Sequence, residues 1–333
     1  MVAGPEGGMD ATPVQDGDSG ACVDRSAPAC QPKVIGPAGD AGDAGRGLTV
    51  IGKNAYWTRV SKPLALLRTS LDDDQTTDLP IPPSVPEDFA FFEARYLVND
   101  GTNVFAASTY CCAGPENALF GYYVSDGSWK STDLANSLGV SGFLYASGSL
   151  TVALDAGRFL YSYSPGDLKR TKSYVMANQY ADPIGTDGTT IYIELLLNGT
   201  RQIASFDGMT PVPLATVPAE PYGSESHLAV DETNVYFAAM SKLMSADRKT
   251  PGDPKEIVDV APLHPLQVLV DDRALYWVDE SGLHAIGKSR GGRVDLATFD
   301  NRYQPLAVEQ IDQSAEYVVW TGRDGLSKVR KSW

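Results

Sequence analysis

The stretch LYWVDESGLHAIGK, residues 275–288, reads as a strand, a tight turn and a second strand, and weaker copies of it recur along the chain. In four copies an Asp lies five residues before an aromatic residue, and most copies are followed by one more short β-prone segment such as RVDLATF. Each copy is therefore predicted to contain four short strands, named a, b, c and d in chain order. The Asp residues of the four copies are Asp100, Asp187, Asp231 and Asp271.

The number and spacing of the copies indicate the architecture. A step of about 40–45 residues per four-stranded unit is the period of a β-propeller blade, and no long segment has the 3.6-residue period of a helix. The sequence therefore predicts an all-β, seven-bladed β-propeller of four-stranded antiparallel blades over residues 48–333, with six blades as the alternative. The copies begin near residues 48, 95, 142, 182, 226, 267 and 305.

The last copy lacks a strand d, because the chain ends soon after its strand c. The segment PKVIG, residues 32–36, is the one short apolar run in the N-terminal region. We predict that it occupies the missing outer position and closes the ring, since an open edge would leave backbone groups unpaired; the alternative is a three-stranded last blade. The predicted organisation is a flexible tail (1–31), a closing strand with a Gly-rich linker (32–47) and the propeller (48–333).

The repeat resembles a known family. Its aromatic pair on strand b and the Tyr-Trp-Val-Asp of residues 276–279 are similar to the YWTD-type propeller repeat, and closer still to the degenerate repeats of bacterial secreted propellers and surface lipoproteins. Only this copy keeps the full pattern, and the YWTD family has six blades where seven copies are present here. The resemblance implies a propeller that binds a protein or another ligand on one loop face in an extracellular setting.

Charge and hydropathy exclude several classes of partner. Acidic residues outnumber basic ones by 42 to 27, and the net charge of −15 argues against nucleic acid and anionic lipid. No run of 18 apolar residues occurs, so no membrane span is predicted. The N-terminus lacks the apolar core of a signal peptide, and we expect the sequence to begin after a removed leader, with a cytosolic protein as the alternative. A lipid anchor on a longer precursor stays open.

The cysteines favour an oxidising compartment: extracellular, cell-surface or periplasmic. There are four, and none belongs to a C-x-x-C pair, which suits two disulfides. Three pairings exist, of which Cys22–Cys30 with Cys111–Cys112 is the simplest.

Binding in a propeller is expected from the longer loops of one face. The connection after the first copy (80–95) and the b–c connection of the second (108–118) are the longest, and they are predicted to form a partner-binding sector; packing between blades is the alternative for its Phe residues. Other connections bring polar and aromatic residues towards the channel mouth, as expected for a small ligand or a glycan. The candidate binding residues are Glu87, Phe91, Phe92, Tyr110, Cys111, Cys112, Glu116, Tyr222, His227, His264 and Tyr303.

The remaining recurrent residues are interpreted as structural. The Asp residues before strand b are predicted to hold tight turns, and the strand-b aromatics to pack between blades. The segment LDDDQTTD (71–78) is read as a solvated turn, with a calcium loop as the alternative, so no cofactor or metal site is predicted. The aromatics are Trp57, Phe105, Tyr192, Tyr236, Phe237, Tyr276, Trp277 and Trp320.

No catalytic motif was found, and no catalytic residue is predicted. The expected function is therefore an extracellular or cell-envelope module that binds a protein or glycan. The alternatives are a metal-dependent propeller hydrolase or lactonase, and a structural subunit of an envelope complex.

Overall fold

In the computed structural model the described part of the chain is almost entirely β-structure, with one short 3₁₀ helix at Pro28–Cys30. The described residues are 22, 25–37, 45–59, 65–79, 96–108, 117–134, 139–155, 157–176, 180–197, 200–218, 228–261, 265–289, 292–299, 308–322 and 324–331.

Seven four-stranded antiparallel sheets form the blades, and six of them take their strands in chain order. Blades 1 to 3 consist of β2 (Gly45–Ile51), β3 (Asn54–Arg59), β4 (Ala65–Ser70), β5 (Thr76–Leu79); β6 (Tyr96–Asn99), β7 (Val104–Ser108), β8 (Asn117–Tyr123), β9 (Ser128–Leu134); and β10 (Val140–Ala146), β11 (Ser149–Leu154), β12 (Phe159–Tyr163), β13 (Arg170–Val175).

Blades 4 to 6 repeat the same order and include the hairpin on which the repeat was recognised, β23 and β24. Their strands are β14 (Tyr180–Thr186), β15 (Ile191–Leu197), β16 (Thr200–Phe206), β17 (Pro211–Pro218); β18 (Leu228–Val230), β19 (Asn234–Ala239), β20 (Lys242–Asp247), β21 (Lys255–Asp259); and β22 (Gln267–Val270), β23 (Ala274–Asp279), β24 (Gly282–Gly287), β25 (Arg293–Thr298).

Blade 7 joins the two ends of the chain. Its strands a, b and c are β26 (Gln310–Gln313), β27 (Tyr317–Gly322) and β28 (Gly325–Arg330), and its outer strand is β1 (Lys33–Pro37), antiparallel to β28. Seven blades and closure by the N-terminal strand are thus confirmed. On β1, Val34 is exposed whereas Ile35 is buried with Trp57 and Leu326. The alternation places one side of the closing strand in the core between blades 7 and 1.

The hydrophobic core of the described residues is a ring of seven clusters, each shared by two neighbouring blades. Every strand-b aromatic named above is buried in one of these clusters. Tyr276, for example, packs with blade 7, whereas the adjacent Trp277 packs with blade 5, because successive residues of a strand point to opposite faces. The Tyr-Trp pair therefore joins three blades.

The a–b turns are held by their Asp residues, as predicted. In blade 5 the Oδ1 of Asp231 accepts hydrogen bonds from the backbone N–H groups of Thr233 and Asn234, both at 2.8 Å. Equivalent bonds occur at Asp100, Asp187 and Asp271.

Candidate functional site

Strand direction divides the propeller into two faces. The a–b and c–d turns lie on one, named the turn face; the b–c turns and the connections between blades lie on the other, named the loop face. Strands b and c of blades 5 and 6 are joined by residues 240–241 and 280–281, whereas in blade 2 the join is 109–116. The longest join between blades, 80–95, leads from β5 to β6, the neighbour of β7. Both long connections therefore begin and end on the loop face, at the border of blades 1 and 2.

The binding residues that the sequence predicts lie outside the described residues, and they stay a prediction. They are Glu87, Phe91, Phe92, Tyr110, Cys111, Cys112 and Glu116 in the two long connections, and Tyr222, His227, His264 and Tyr303 elsewhere.

Cys22 and Cys30 form a disulfide, the pairing that is simplest on sequence grounds. The loop that it closes lies against blades 6 and 7. Within the loop the Arg25 guanidinium donates to the carbonyl oxygens of Leu296 at 2.8 Å and Arg330 at 3.1 Å. The disulfide loop therefore holds the outer strand of blade 6 and the end of strand c in blade 7 together.

The loop face carries large apolar side chains in the open, at strand ends of four consecutive blades. Val175 ends β13 and is 70% exposed, Leu196 near the end of β15 is 42% exposed, Met240 in the b–c turn of blade 5 is 55% exposed, and Leu266 before β22 is 39% exposed. We name these four residues the apolar arc. The four side chains share one face of the ring, one on each of four neighbouring blades, and exposed apolar patches are typical of sites that contact other macromolecules.

The described charged residues of the loop face are mostly acidic. Each basic residue of the loop face whose side chain the structure describes is in an ion pair with a carboxylate. Among the described residues of the same face, further carboxyl groups lie at Asp259, Glu280, Glu309 and Asp324, so carboxylates outnumber cations there. The ion pairs are Arg59–Asp78 and Arg158–Asp155 at 3.5 Å, Arg201–Glu194 at 2.6 Å and Lys242–Glu256 at 2.5 Å.

A buried polar network, missed on sequence grounds, lies near the loop face in blade 6. His284, almost fully buried, places Nδ1 2.7 Å from Asp295 Oδ1 and Nε2 3.0 Å from Asp279 Oδ1. The hydroxyl of Ser281 is 3.1 Å from His284 Nε2 and 2.6 Å from Asp279 Oδ1. Ser281, His284 and Asp295 thus show the contact order of a hydrolase triad.

Asp279 decides what this network does. Burial acts to raise the pKa of Asp279, but hydrogen bonds from His284 and Ser281 outweigh it and lower the pKa to about 2. A carboxylate that is ionised at neutral pH and lies nearer than the imidazole accepts the hydroxyl proton of Ser281. Ser281 is therefore a donor that holds the b–c turn, where Gly282 also approaches the Ala297 carbonyl too closely for any side chain. The network rigidifies the turn.

The turn face carries ion pairs between blades. A basic residue directly after strand c reaches the a–b Asp of the preceding blade: Arg248 contacts Asp187, Lys288 lies 2.6 Å from Asp231 and Lys331 lies 2.8 Å from Asp271. The sequence contains this signal, since a basic residue directly follows strand c in three successive copies. It was not recognised because the partner lies in another copy.

Strand a contributes a second set of contacts between blades. The carboxyl of Asp312 in blade 7 accepts a hydrogen bond from the Val50 N–H of blade 1 at 2.7 Å, and burial raises its pKa to about 6. Gln310 accepts from the Leu48 N–H at 2.8 Å in the same way. Blades 7 and 1, which the closing strand joins at the rim, are thus also joined at the inner strands.

An open cleft of about 660 Å³ lies on the turn face between blades 6, 7 and 1. Lys331, whose ammonium donates to Asp271 and Gln313 at 2.8 Å each, lines it together with Arg273 and Glu316. The lining mixes both signs of charge and does not indicate one class of ligand.

Two further observations concern the described residues alone. They contain no helix that is long and apolar enough to cross a membrane. No three His, Cys, Asp or Glu side chains among them are grouped so as to hold a metal ion.

Comparison with known proteins supports the fold and goes no further. No family model matches the chain, so the resemblance to YWTD repeats stays a prediction, and no curated protein matches it. Among solved structures, U3-55K superposes with a TM-score of 0.64 at 9% identity, over 91% of this chain and 99% of that chain. The WD40 β-propeller domain of Doa1 superposes with a TM-score of 0.60 at 11% identity, over 91% of this chain and 98% of that chain.

A bacterial structure is similar to the same degree. The extracellular domain of the hybrid two component system BT4673 from B. thetaiotaomicron gives a TM-score of 0.63 at 14% identity, over 90% of this chain and 39% of that chain. The class that these likenesses define is the seven-bladed β-propeller with WD40-like structural neighbours. One neighbour is an extracellular domain and others are WD40 proteins, and at such identities they show the fold alone.

Proposed function

We propose that this chain is an interaction protein of the extracellular space or cell envelope that binds a protein partner through its loop face. The observation that carries the proposal is the apolar arc. Aliphatic side chains exposed on four consecutive blades favour a protein surface over a glycan, which requires hydrogen-bonding groups for recognition. The acidic surroundings disfavour an anionic membrane surface.

The rigidity of the scaffold supports a binding role. Shared hydrophobic clusters, ion pairs on the turn face and the network around His284 fix the strand ends from which the loop face is built. A rigid framework lowers the entropy cost of binding, since less of the surface must be ordered when the partner arrives. The long connections at the border of blades 1 and 2 are proposed to extend the contact surface.

The proposed compartment rests on separate observations. A disulfide at Cys22–Cys30 persists in oxidising surroundings and is rare in the cytosol. One structural neighbour is the extracellular domain of a bacterial protein.

The proposal is tested by photo-crosslinking from the loop face. A benzophenone amino acid replaces Met240 of the apolar arc or, as the control, Met209, which is exposed in the c–d turn of blade 4 on the turn face. In the cells that make the protein, position 240 is expected to give a discrete crosslinked protein that position 209 does not give. The purified partner should then bind Met240→Asp about 10-fold or more weakly than wild type and bind Met209→Asp normally. Equal crosslinking from both positions, or from neither, contradicts the proposal.

A further inference from the structure

The charge of the loop face points to the chemistry of the partner. We infer that the partner presents a basic segment in which Lys or Arg residues flank exposed apolar side chains. This inference rests on the proposed function, because it describes the segment that would cover the apolar arc. It adds what neither the fold nor the neighbours specify, the sign of the charge that the loop face selects.

The described cations of the loop face are already paired with carboxylates. Arg59, Arg158, Arg201 and Lys242 each lie within 4 Å of a carboxylate oxygen. A cation that is already neutralised contributes little long-range attraction for an acidic partner.

Three of the described carboxylates of the loop face lie on blades 5, 6 and 7. Asp259 is the last residue of β21 in blade 5, Glu280 lies in the b–c turn of blade 6, and Asp324 lies in the b–c turn of blade 7. Met240 and Leu266 of the apolar arc belong to the same sector of the ring, at blades 5 and 6. An apolar surface with carboxylates beside it is complementary to an apolar segment that carries cations, and repels one that carries anions.

The whole chain is acidic. A net charge of −15 gives the molecule a long-range field that attracts basic segments and speeds their encounter with it at low ionic strength. Specific docking then needs apolar contact, which the arc provides. The expected mode is therefore an encounter that depends on salt, followed by an apolar contact that does not.

The experiment selects binders without assuming a partner. A random peptide library displayed on phage is selected on the purified protein and depleted on Met240→Asp, so that the retained peptides need the apolar arc. The inference expects these peptides to be enriched in Lys or Arg beside apolar residues, and their affinity to fall as NaCl rises.

Matched charge variants complete the test. Asp259→Asn, Glu280→Gln and Asp324→Asn together remove three of the carboxylates named on the loop face. The control triple variant, Glu232→Gln, Asp253→Asn and Asp272→Asn, removes the same charge from exposed positions on the turn face. The affinity of the selected peptides for the first variant should be about 10-fold lower than for wild type. Their affinity for the control variant should stay within about twofold of the wild-type value. The two variants carry the same net charge, so a difference between them reports on the loop face itself.

The outcomes separate the two proposals. One possible result is that the selected peptides need Met240 but lack basic residues, and another is that they bind both triple variants equally. Either result contradicts the inference of a basic segment and leaves the binding role of the apolar arc intact. If no selected peptide depends on Met240, the binding role of the apolar arc is overturned and the inference falls with it.

Discussion

At the scale of single residues, Asp231 shows how the repeat is joined to its neighbours. Its Oδ1 holds its own turn, whereas Oδ2 accepts hydrogen bonds from the Tyr236 hydroxyl at 2.7 Å and from Lys288 of the next blade at 2.6 Å. Burial acts to raise the pKa of Asp231, but the hydrogen bonds, first that of Lys288, lower it well below its ordinary value. One carboxylate thus fixes a turn, a core aromatic and a contact between blades.

Lys288→Met tests the contact between blades. Removal of the cation leaves a partly buried carboxylate without its charge partner, and we expect the free energy of unfolding to fall by about 1–2 kcal/mol at pH 7. Because the pKa of Asp231 is lowered by folding, this stabilisation is present above the ordinary Asp pKa and is lost as Asp231 becomes protonated at lower pH. The difference from wild type should therefore persist through the ordinary Asp range, at about pH 4, and shrink only as the pH falls further, towards the lowered pKa of Asp231.

Urea unfolding of wild type, Lys288→Met and the exposed control Lys249→Met over this pH range measures the effect. A loss that is equally large for the control would show that the ion pair is not its source.

At the scale of elements, the features that recur along the sequence are the ones that could be predicted from it. The strands were predictable because their aromatic and alternating apolar residues recur in seven copies, and the closing strand because PKVIG is apolar within a polar region. The apolar arc was not predictable from the sequence, because an apolar residue near the end of a strand, such as Leu196, is normally interpreted as part of the core. Its exposure depends on where the strand stops relative to the neighbouring blade, which one sequence does not specify.

The network of His284 was missed for a related reason. Asp279, His284 and Asp295 lie on three successive strands, and only the register Trp277–His284–Asp295 brings them side by side. The predicted binding residues of the long connections lie outside the described residues, and no contact here tests them.

Ile35→Ala tests the closing strand. Ile35 is buried against Trp57 and Leu326, and its truncation should lower the free energy of unfolding by about 2–4 kcal/mol through lost contact and a residual cavity. Val34→Ala is the matched control, because Val34 lies next to Ile35 on the same strand but is half exposed. Its free energy of unfolding is expected to fall by about 0.5 kcal/mol or less. Denaturant unfolding measures both. Similar losses for the two variants would mean that β1 does not seal the core between blades 7 and 1.

At the scale of the whole molecule, the two ends of the described chain meet. The Cys22 N–H donates to the Lys331 carbonyl oxygen at 3.0 Å, while β1 pairs with β28. Each blade shares a hydrophobic cluster with both of its neighbours, so the ring has no natural first blade once it is closed.

A circular permutant tests this closure. Lys331 is joined to Cys22 by a short Gly-Ser linker, and new ends are opened between Met209 and Thr210, in an exposed c–d turn. We expect the far-UV circular dichroism to be unchanged and Tm to stay within about 5 °C of the parent, since no strand is cut.

The control permutant opens the chain between Tyr236 and Phe237, both buried in β19, and should fail to fold. Failure of the first permutant as well would show that the ring depends on where the chain begins.

The pairing of β1 with β28 also means that the ring cannot close until the end of the chain has been synthesised. In β1, Pro37 pairs with Gly325 of β28. A ribosome that adds about 5–20 residues per second needs roughly 15–60 s to pass from the first of these residues to the second. Throughout that interval the side of blade 1 that holds Leu48 and Trp57 has no blade 7 to cover it. The nascent protein must keep this apolar side from other chains until its last strands are made, so the time of greatest risk of aggregation is fixed by the topology.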